Sequence, residues 1–293
     1  MSNINIIIEE RPADIGNFLV GRLLPFRNKR MVGPFIFIDH MGPAELKDYE
    51  NFDVGPHPHI GLSTLTYLFE GAIMHRDSLG NSLEILPGQV NWMTAGKSIV
   101  HSERTPERLR ETDKRLHGLQ IWVALPQELE QSEPSFFHVE AQDIPEWEDN
   151  GLAYKLIAGE AFGRKSPVPV HSPLYLIEIK SKKRTSVRIG QYLFGESGMY
   201  ILEGSVETEG NVHEEKRILV AKNSQLCEFV MEENTTIYLF GGETFPEERL
   251  IYWNFVATKP EMLEKAKQDW QNQKFPKIDG ESGYIPLPEN RKA

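Results

Sequence analysis

The sequence predicts an all-β protein in which two barrel or sandwich domains follow one another along the chain. Short apolar or alternating runs bounded by turn residues fill residues 36–125, and similar runs resume after a polar interval. A pentapeptide of the first set returns in the second. Because 293 residues exceed the usual length of one domain, these observations together favour two domains.

The first set of runs has the spacing of antiparallel strands. Turns that contain Gly, Pro or Asn separate the runs, which lie at 65–69, 72–74, 83–86 and 120–125. Strands this short, with a turn signal after each one, are typical of a sandwich or a barrel. We expect residues 1–135 to form the first domain.

The second set of runs begins after two polar, acidic stretches at 126–135 and 141–151, which we interpret as the linker. The runs lie at 154–157, 174–179, 199–202, 217–220 and 236–240. The pentapeptide YLFEG at 67–71 returns as YILEG at 200–204, which is a sign of internal repetition. We therefore expect residues 136–256 to repeat the architecture of the first domain.

A helix is predicted only near the end of the chain. Pro260 suits a first helical position, and the following residues place Met262, Leu263, Ala266 and Trp270 on one face. This apolar face should pack on a barrel. The rest of the predicted third segment, 257–293, is rich in Pro and Gly and indicates an extended tail, to which we assign no function.

The composition argues against several classes of protein. A net charge of -11 disfavours general attraction to nucleic acid or to an anionic membrane surface. No apolar run reaches the roughly 18 residues of a membrane-spanning helix, and the first residues lack a signal-peptide pattern. The single cysteine, Cys227, excludes an intrachain disulfide and is expected to be buried filler. We expect a cytoplasmic monomer, or a nuclear one in a eukaryote.

Two histidines are spaced to share a metal ion. His57 and His59 stand two residues apart in GPHPH, so on an extended strand both project from the same face. Pro56 and Pro58 remove backbone donors from this strand. The strand should therefore lie at a sheet edge or a barrel mouth, where solvent and substrate reach the ion.

A second pair follows about 40 residues later. His101 and Glu103 again share one face, and Ser102 points the other way. Two such pairs on facing strands would supply three nitrogens and one carboxylate oxygen, which suits iron, manganese, cobalt, nickel, copper or zinc rather than calcium or magnesium. Spacing alone leaves open whether the two pairs are incidental.

Longer motifs resemble the pirin family of the cupin superfamily. They are HPHIGLSTLTYLFEGAIMHRDSLG, LPGQVNWMTAGKSIVHSE, HGLQIWV and GPFIFIDH, and the resemblance extends over nearly the whole chain. It implies a bicupin with two jelly-roll-like β-sandwich barrels. It also implies iron in the N-terminal barrel, held by His57, His59, His101 and Glu103.

One position departs from the wider cupin pattern, in which a glutamate follows the histidine pair. This chain has Ser63 and Thr64 there, so the resemblance implies that Glu103 supplies the carboxylate. When the offset of the repeated pentapeptide is applied to the second barrel, the positions of the four ligands fall on non-ligating residues, namely Gly190, Tyr192, Asn234 and Thr236. We expect a single metal centre.

The resemblance implies a metal-dependent dioxygenase that opens a flavonol such as quercetin with O2. The histidines would be ligands, and Glu103 would be both a ligand and the catalytic base for the substrate hydroxyl. Fe(II) is the first choice of metal, and Mn, Co, Ni, Cu and Zn are the alternatives. The expected partners are a small aromatic substrate and O2.

Two other functions stay open. One is an iron-binding, redox-sensitive regulatory protein that modulates a transcription factor or a metabolic enzyme. The basic group formed by Arg22, Arg27, Lys29 and Arg30 is a candidate docking surface for such a partner, but we interpret it first as a solvated loop. The other is a metal-binding cupin without this activity, because a fold and its ligands do not determine the chemistry.

The remaining histidines of this region are interpreted more simply. His75 and Arg76 lie in a hairpin and are expected to be exposed at a strand end. His117 is interpreted as a strand-entry residue, and His40 as a neighbour of the site or a surface residue. Several large side chains are expected in the core, namely Phe35, Phe37, Trp92, Met93 and Trp122.

Overall fold

The structure, a computed structural model, describes residues 4–221 and 228–288, so Cys227 lies outside the described residues. Antiparallel strands dominate, which confirms the all-β prediction. The first twelve strands are β1 Ile4–Glu9, β2 Arg11–Asp14, β3 Leu19–Leu24, β4 Phe35–Leu46, β5 Asp53–His59, β6 Leu62–Glu70, β7 Ile73–Asp77, β8 Ser82–Ile85, β9 Val90–Thr94, β10 Ile99–Arg104, β11 Lys114–Ala124 and β12 Ser135–Val139.

The later described elements include thirteen strands and the α-helix. The strands are β13 Glu146–Asp149, β14 Leu152–Ala161, β15 Arg164–Lys165, β16 Leu174–Ser181, β17 Thr185–Val187, β18 Glu196–Glu203, β19 Ser205–Thr208, β20 Asn211–Glu214, β21 Arg217–Ala221, β22 Phe229–Met231, β23 Thr235–Gly242, β24 Leu250–Tyr252 and β25 Phe255–Ala257. The helix is α1, Pro260–Gln271. Short 3-10 turns occur at Glu107–Leu109, Gln127–Leu129, Ala141–Asp143 and Gly190–Tyr192.

The chain builds the same strand order twice. A four-stranded sheet has the order β5-β10-β7-β8, and a second one has the equivalent order β17-β22-β19-β20. The larger sheets repeat in the same way, with β9-β6-β11-β4 in one and β21-β18-β23-β16 in the other. The repeated pentapeptide ends β6 in the first copy and β18 in the second, so it marks this internal repetition.

The strands group into two compact units that are not contiguous in sequence. Unit 1 comprises Met1–Pro12, Gly21–Asp39 and Val139–Phe245, and unit 2 comprises Ala13–Val20, His40–His138 and Pro246–Ala293. The domain limits predicted from the sequence, 1–135, 136–256 and 257–293, divide the chain elsewhere. Part of the difference arises because β1 pairs with the distant β21, an association that no local sequence pattern predicts.

The four-stranded sheet of unit 1 has an apolar inner face. Val187, Val206, Phe229 and Met231 belong to a buried cluster with the large sheet of that unit. The histidines of the predicted metal site lie on the equivalent strands of unit 2, at positions where unit 1 has apolar residues such as Val187 and Phe229.

The C-terminal helix begins at Pro260 as predicted and buries Leu263, Ala266 and Trp270. The tail after it contains no helix or strand over the described residues 276–288, which confirms an extended tail. It is nevertheless anchored, because the indole N–H of Trp270 donates to the carbonyl of Ile285 at 2.9 Å. Within the described chain, no helix has both the length and the apolar character that crossing a membrane requires.

The stretch at 126–135, which the sequence indicates as a linker, is packed into unit 2. Glu130 is buried there, and it accepts a hydrogen bond from Thr258 at 2.9 Å. The guanidinium of Arg249 donates to the carbonyl of Leu125 at 3.0 Å and lies 3.7 Å from Glu130. The polar composition of this stretch therefore has two causes: Glu130 takes part in a buried ion pair, and other residues lie in an exposed turn.

A tight turn at Gly61 follows the His57–His59 pair directly. Gly61 has a φ of +68°, and a Cβ at this position would lie 2.0 Å from the carbonyl oxygen of Val256. The backbone N–H of Val256 also donates to the carbonyl of Ile60 at 3.2 Å. Two chain segments thus approach each other at a point where only glycine fits.

We expect Gly61→Ala to lower the free energy of unfolding by about 3 kcal/mol or more, since it adds a backbone clash to the cost of a left-handed conformation. The matched control is Gly80→Ala, because Gly80 has a φ of +90° and a Cβ added there would meet no described atom within 4 Å. The control should lose only about 1 kcal/mol. Urea unfolding followed by tryptophan fluorescence measures both values, and equal losses would contradict the clash.

Candidate metal centre

Two paired strands bring the predicted histidines together. In the antiparallel pairing of β10 with β5, His101 lies opposite His57, and Ile99 lies opposite His59. Directly opposite side chains share a face at close range. β5 is the edge strand of its sheet, as its two prolines predict.

The three imidazoles form one compact group. Their ligand nitrogens lie within 4.8 Å of one another, and among the described residues no other set of three or more metal-ligating side chains is this close. The ring centroids of His57 and His101 are 4.3 Å apart, and those of His59 and His101 are 5.0 Å apart. His59 and His101 are each 1% exposed, whereas His57 is 7% exposed and marks the more accessible side of the group.

The orientation of the rings suits a shared ion. Nδ1 of His57 lies 2.8 Å from the carbonyl of Gly55, so it carries the proton and leaves Nε2 with a lone pair. Nε2 of His59 lies 3.1 Å from Nε2 of His101. Two nitrogens bound to one ion at about 2.1 Å, at a right angle, are about 3.0 Å apart. The three residues therefore fit a divalent transition metal.

Burial keeps these imidazoles neutral, which metal binding requires. Burial lowers the pKa of His57 to about 4, although the hydrogen bond to Gly55 acts in the opposite direction. The pKa values of His59 and His101 lie well below the usual range, first because of burial and then because neighbouring histidines disfavour a further positive charge. Lone pairs are thus available at neutral pH.

Glu103 lies close to this group but is not part of it. A register shift separates His101 from Glu103 on the β5 side, so Glu103 lies opposite Val54. The Thr66 hydroxyl is 3.2 Å from Oε1 of Glu103 and 2.9 Å from Oε1 of Gln120, either of which accepts its proton. Burial raises the pKa of Glu103, and its role as the fourth ligand stays a prediction.

His75 is a residue of the site that the sequence interpretation missed, and its expected exposure is wrong. It is buried opposite Glu103, with its ring centroid 5.4 Å from that of His101. Nε2 of His75 lies 3.1 Å from Oδ2 of Asp77, and the ring stacks on Phe136 at 4.5 Å. The two-residue spacing of His75 and Asp77 in MHRD was a usable signal, because it places both on one face.

Apolar side chains border the histidines. Trp122 meets His59 edge-on at 5.1 Å between centroids, and Met93 and Ile99 pack with Phe136. The core residues predicted from the sequence, including Trp122, are all buried. Trp122 therefore contributes to the core and to the wall of the site at once.

The departure at Ser63 lies away from the histidines. Its hydroxyl is 3.0 Å from that of Thr94, on the face of β6 opposite to the one from which Thr66 reaches Glu103.

His40 and His117 form a separate buried pair, with 2.8 Å between their Nε2 atoms. His40 and His117 are thus neither exposed nor part of the three-histidine group.

The basic group weighed above as a solvated loop or a docking surface is partly neutralised. Arg22 makes two hydrogen bonds to Asp39, at 2.9 and 2.8 Å, and Lys29 pairs with Glu196. Arg27 and Arg30 are exposed. Two of the four charges are therefore engaged within the protein itself.

Comparison with known proteins identifies the family. The chain matches the family model Pirin over residues 18–123 and the Pirin C-terminal cupin domain over residues 175–276. A pirin-like protein of Caulobacter vibrioides is 48% identical over 292 residues, which covers 98% of this chain and 100% of that protein. A Pseudomonas aeruginosa protein, provisionally named a quercetin 2,3-dioxygenase, is 35% identical over 280 residues, which covers 94% of this chain and 87% of that protein.

A solved structure has the same overall fold. It is a crystal structure of quercetin 2,3-dioxygenase from Acinetobacter baumannii, with a TM-score of 0.87 and 36% identity. The match covers 97% of this chain and 94% of that one. This similarity confirms the predicted bicupin architecture.

We expect a divalent metal to stabilise the protein through the three histidines. At about 100 times the dissociation constant, Ni(II) should contribute about 2.7 kcal/mol and raise Tm by about 5 °C or more. Differential scanning calorimetry should show no such increase for His101→Ala. The control is His213→Ala, which removes a buried histidine that contacts Thr208 in unit 1. Loss of the Ni(II)-induced increase in both variants would contradict the assignment.

Proposed function

The chain belongs to the pirin family, and we propose that it is a metal-dependent dioxygenase that opens a flavonol such as quercetin with O2. The observation that carries this proposal is the convergence of three buried, neutral imidazoles beside a buried carboxyl group. The relatives named for quercetin 2,3-dioxygenase activity give the reaction class. In that reaction the central ring opens with release of carbon monoxide.

The metal would be held by His57, His59 and His101, with Glu103 as the proposed fourth ligand. Fe(II) is our first choice, and Mn, Co, Ni, Cu and Zn fit the same nitrogen and oxygen donors. When bound, the ion supplies the site at which O2 and an oxygen of the substrate are activated.

Glu103 is the residue proposed to handle the proton of the substrate hydroxyl. Burial raises the pKa of this carboxyl group when no cation is bound to it, which makes it a better proton acceptor than an exposed carboxylate. The Thr66 hydroxyl lies within hydrogen-bond distance of one carboxyl oxygen and shares its proton between that oxygen and Gln120. A flat aromatic substrate would be oriented by Trp122, which contacts His59, and by Phe136, which stacks on His75.

Oxygen uptake tests the proposal. Protein purified without added metal should be analysed for bound metal, loaded with Fe(II) under anaerobic conditions and mixed with a panel of flavonols. We expect uptake by the wild type and none by His101→Ala, since the ion is lost. Glu103→Gln, which removes the base and keeps the shape, should lower kcat by about 100-fold or more.

His213→Ala serves as the control for a buried histidine outside the centre and should keep wild-type uptake for the folded protein. A fully iron-loaded wild type that consumes no oxygen with any flavonol would refute the dioxygenase. Metal binding without uptake would instead favour the alternative of a redox-sensitive regulatory protein with a protein partner.

A further inference from the structure

The extended C-terminal tail carries a buried carboxylate. The side chain of Glu281 is only 7% exposed, although the segment around it contains neither helix nor strand. A charged group is seldom buried in this way unless partners compensate for its lost hydration. Those partners lie on the strands that carry the metal centre.

Two residues of β10 bind the Glu281 carboxylate directly. The Ser102 hydroxyl donates to Oε1 of Glu281, and Arg104 donates to Oε2 from Nε at 3.1 Å and from Nη2 at 2.8 Å. On the neighbouring strand β7, Nη1 of Arg76 lies 3.7 Å from Oε1. One carboxylate therefore joins two adjacent strands.

These partners alternate in sequence with the residues of the site. Ser102 lies between His101 and Glu103, and Arg76 lies between His75 and Asp77. Because successive side chains of a strand point to opposite faces, Glu281 holds the outer face of the same strands whose inner face carries the site. A displacement of Ser102 would move His101 and Glu103 together.

The tail also contacts the other ligand-bearing strand. The backbone N–H of Ile285 donates to the carbonyl of Pro56, next to His57, at 2.9 Å. Trp270 donates to Ile285, and Ile278 is buried between these anchors. The tail is thus held to β10 and β7 through the side chain of Glu281 and to β5 through a backbone hydrogen bond.

We propose that Glu281 is a positioning residue of the metal centre, whose carboxylate holds β10 and β7 from behind and so keeps His101 and Glu103 at the spacing that the ion needs. This role rests on the metal centre proposed above. It goes beyond anchoring the tail, because it couples a contact on the outer face to metal affinity on the inner face.

The strength of the contact supports this role. Hydrogen bonds between charged groups are shorter and stronger than neutral ones, and the fork of Arg104 matches a carboxylate in shape. Although burial acts to raise the pKa of Glu281, the hydrogen bonds from Arg104 and Ser102 bring it below its usual value. The carboxylate is therefore charged at neutral pH.

Binding of Co(II) tests the proposal, since its visible absorption reports the coordination of the ion. Glu281→Gln keeps the size of the side chain and removes its charge. We expect it to weaken Co(II) binding by about 10- to 100-fold, the range typical for groups that orient metal ligands, and to change the Co(II) spectrum. The matched control is Glu264→Gln, which breaks a surface pair with Lys267 on α1 and should change affinity less than about twofold.

A second variant keeps the test independent of folding. Ser102→Ala removes one hydrogen bond and should weaken Co(II) binding in the same direction, by about 3-fold or more. Wild-type affinity and spectrum in folded Glu281→Gln, or in Ser102→Ala if the first variant does not fold, would show that Glu281 only anchors the tail. Failure of the wild type to bind Co(II) would instead refute the metal centre itself.

Discussion

The pairing of β5 with β10 is the constraint on which the site depends. Residues that alternate along paired strands must serve two environments at once, because each inward side chain is followed by an outward one. His57 and His101 face each other on the inner side, while the side chain of Ser102 meets the C-terminal tail on the outer side. The carbonyl of Pro56 also accepts a hydrogen bond from the tail. The geometry of the centre therefore cannot be separated from the packing behind it.

A comparison of the two units indicates that the histidines on the inner face of the unit 2 sheet lower stability. Both have the same strand order, yet unit 1 fills its four-stranded sheet with residues such as Val187 and Met231, which need no partners. The equivalent strands of unit 2 carry His57, His59 and His101, whose charged forms are disfavoured first by burial and then by neighbouring histidines. Buried polar groups of this kind lower stability unless they are satisfied, so their retention in one copy indicates a function rather than a packing need.

Local patterns were sufficient where one strand or one helix decides the outcome. The two-residue spacings of His57 with His59 and of His101 with Glu103 predicted a shared face, and Pro260 predicted the start of α1. Contacts between distant segments had no such signal. The pairing of β1 with β21 and the burial of Glu281 both depend on residues that are far apart in sequence.

His75 lies between these two cases. Its two-residue spacing from Asp77 was visible in the sequence, but the turn residues that follow it favoured the wrong prediction that it is exposed. The register shift beside Glu103 is different again. A strand with an extra residue looks like any other strand in sequence, yet it changes which residue the side chain faces. The alternation rule therefore predicted that the three histidines meet, whereas the part of Glu103 as a fourth ligand stays a prediction.

Glu103 thus differs from the histidines in kind as well as in position. An imidazole that is neutral and oriented, as His57 is by Gly55, is ready to bind an ion without further change. A carboxylate that binds a cation has a lowered pKa and is a poor base, whereas a buried one without a cation has a raised pKa and is a better base. The two roles proposed for Glu103 therefore exclude each other at any one moment. The Thr66 hydroxyl contacts only Oε1 of Glu103. The second carboxyl oxygen is therefore available for either role, binding the ion or accepting a proton.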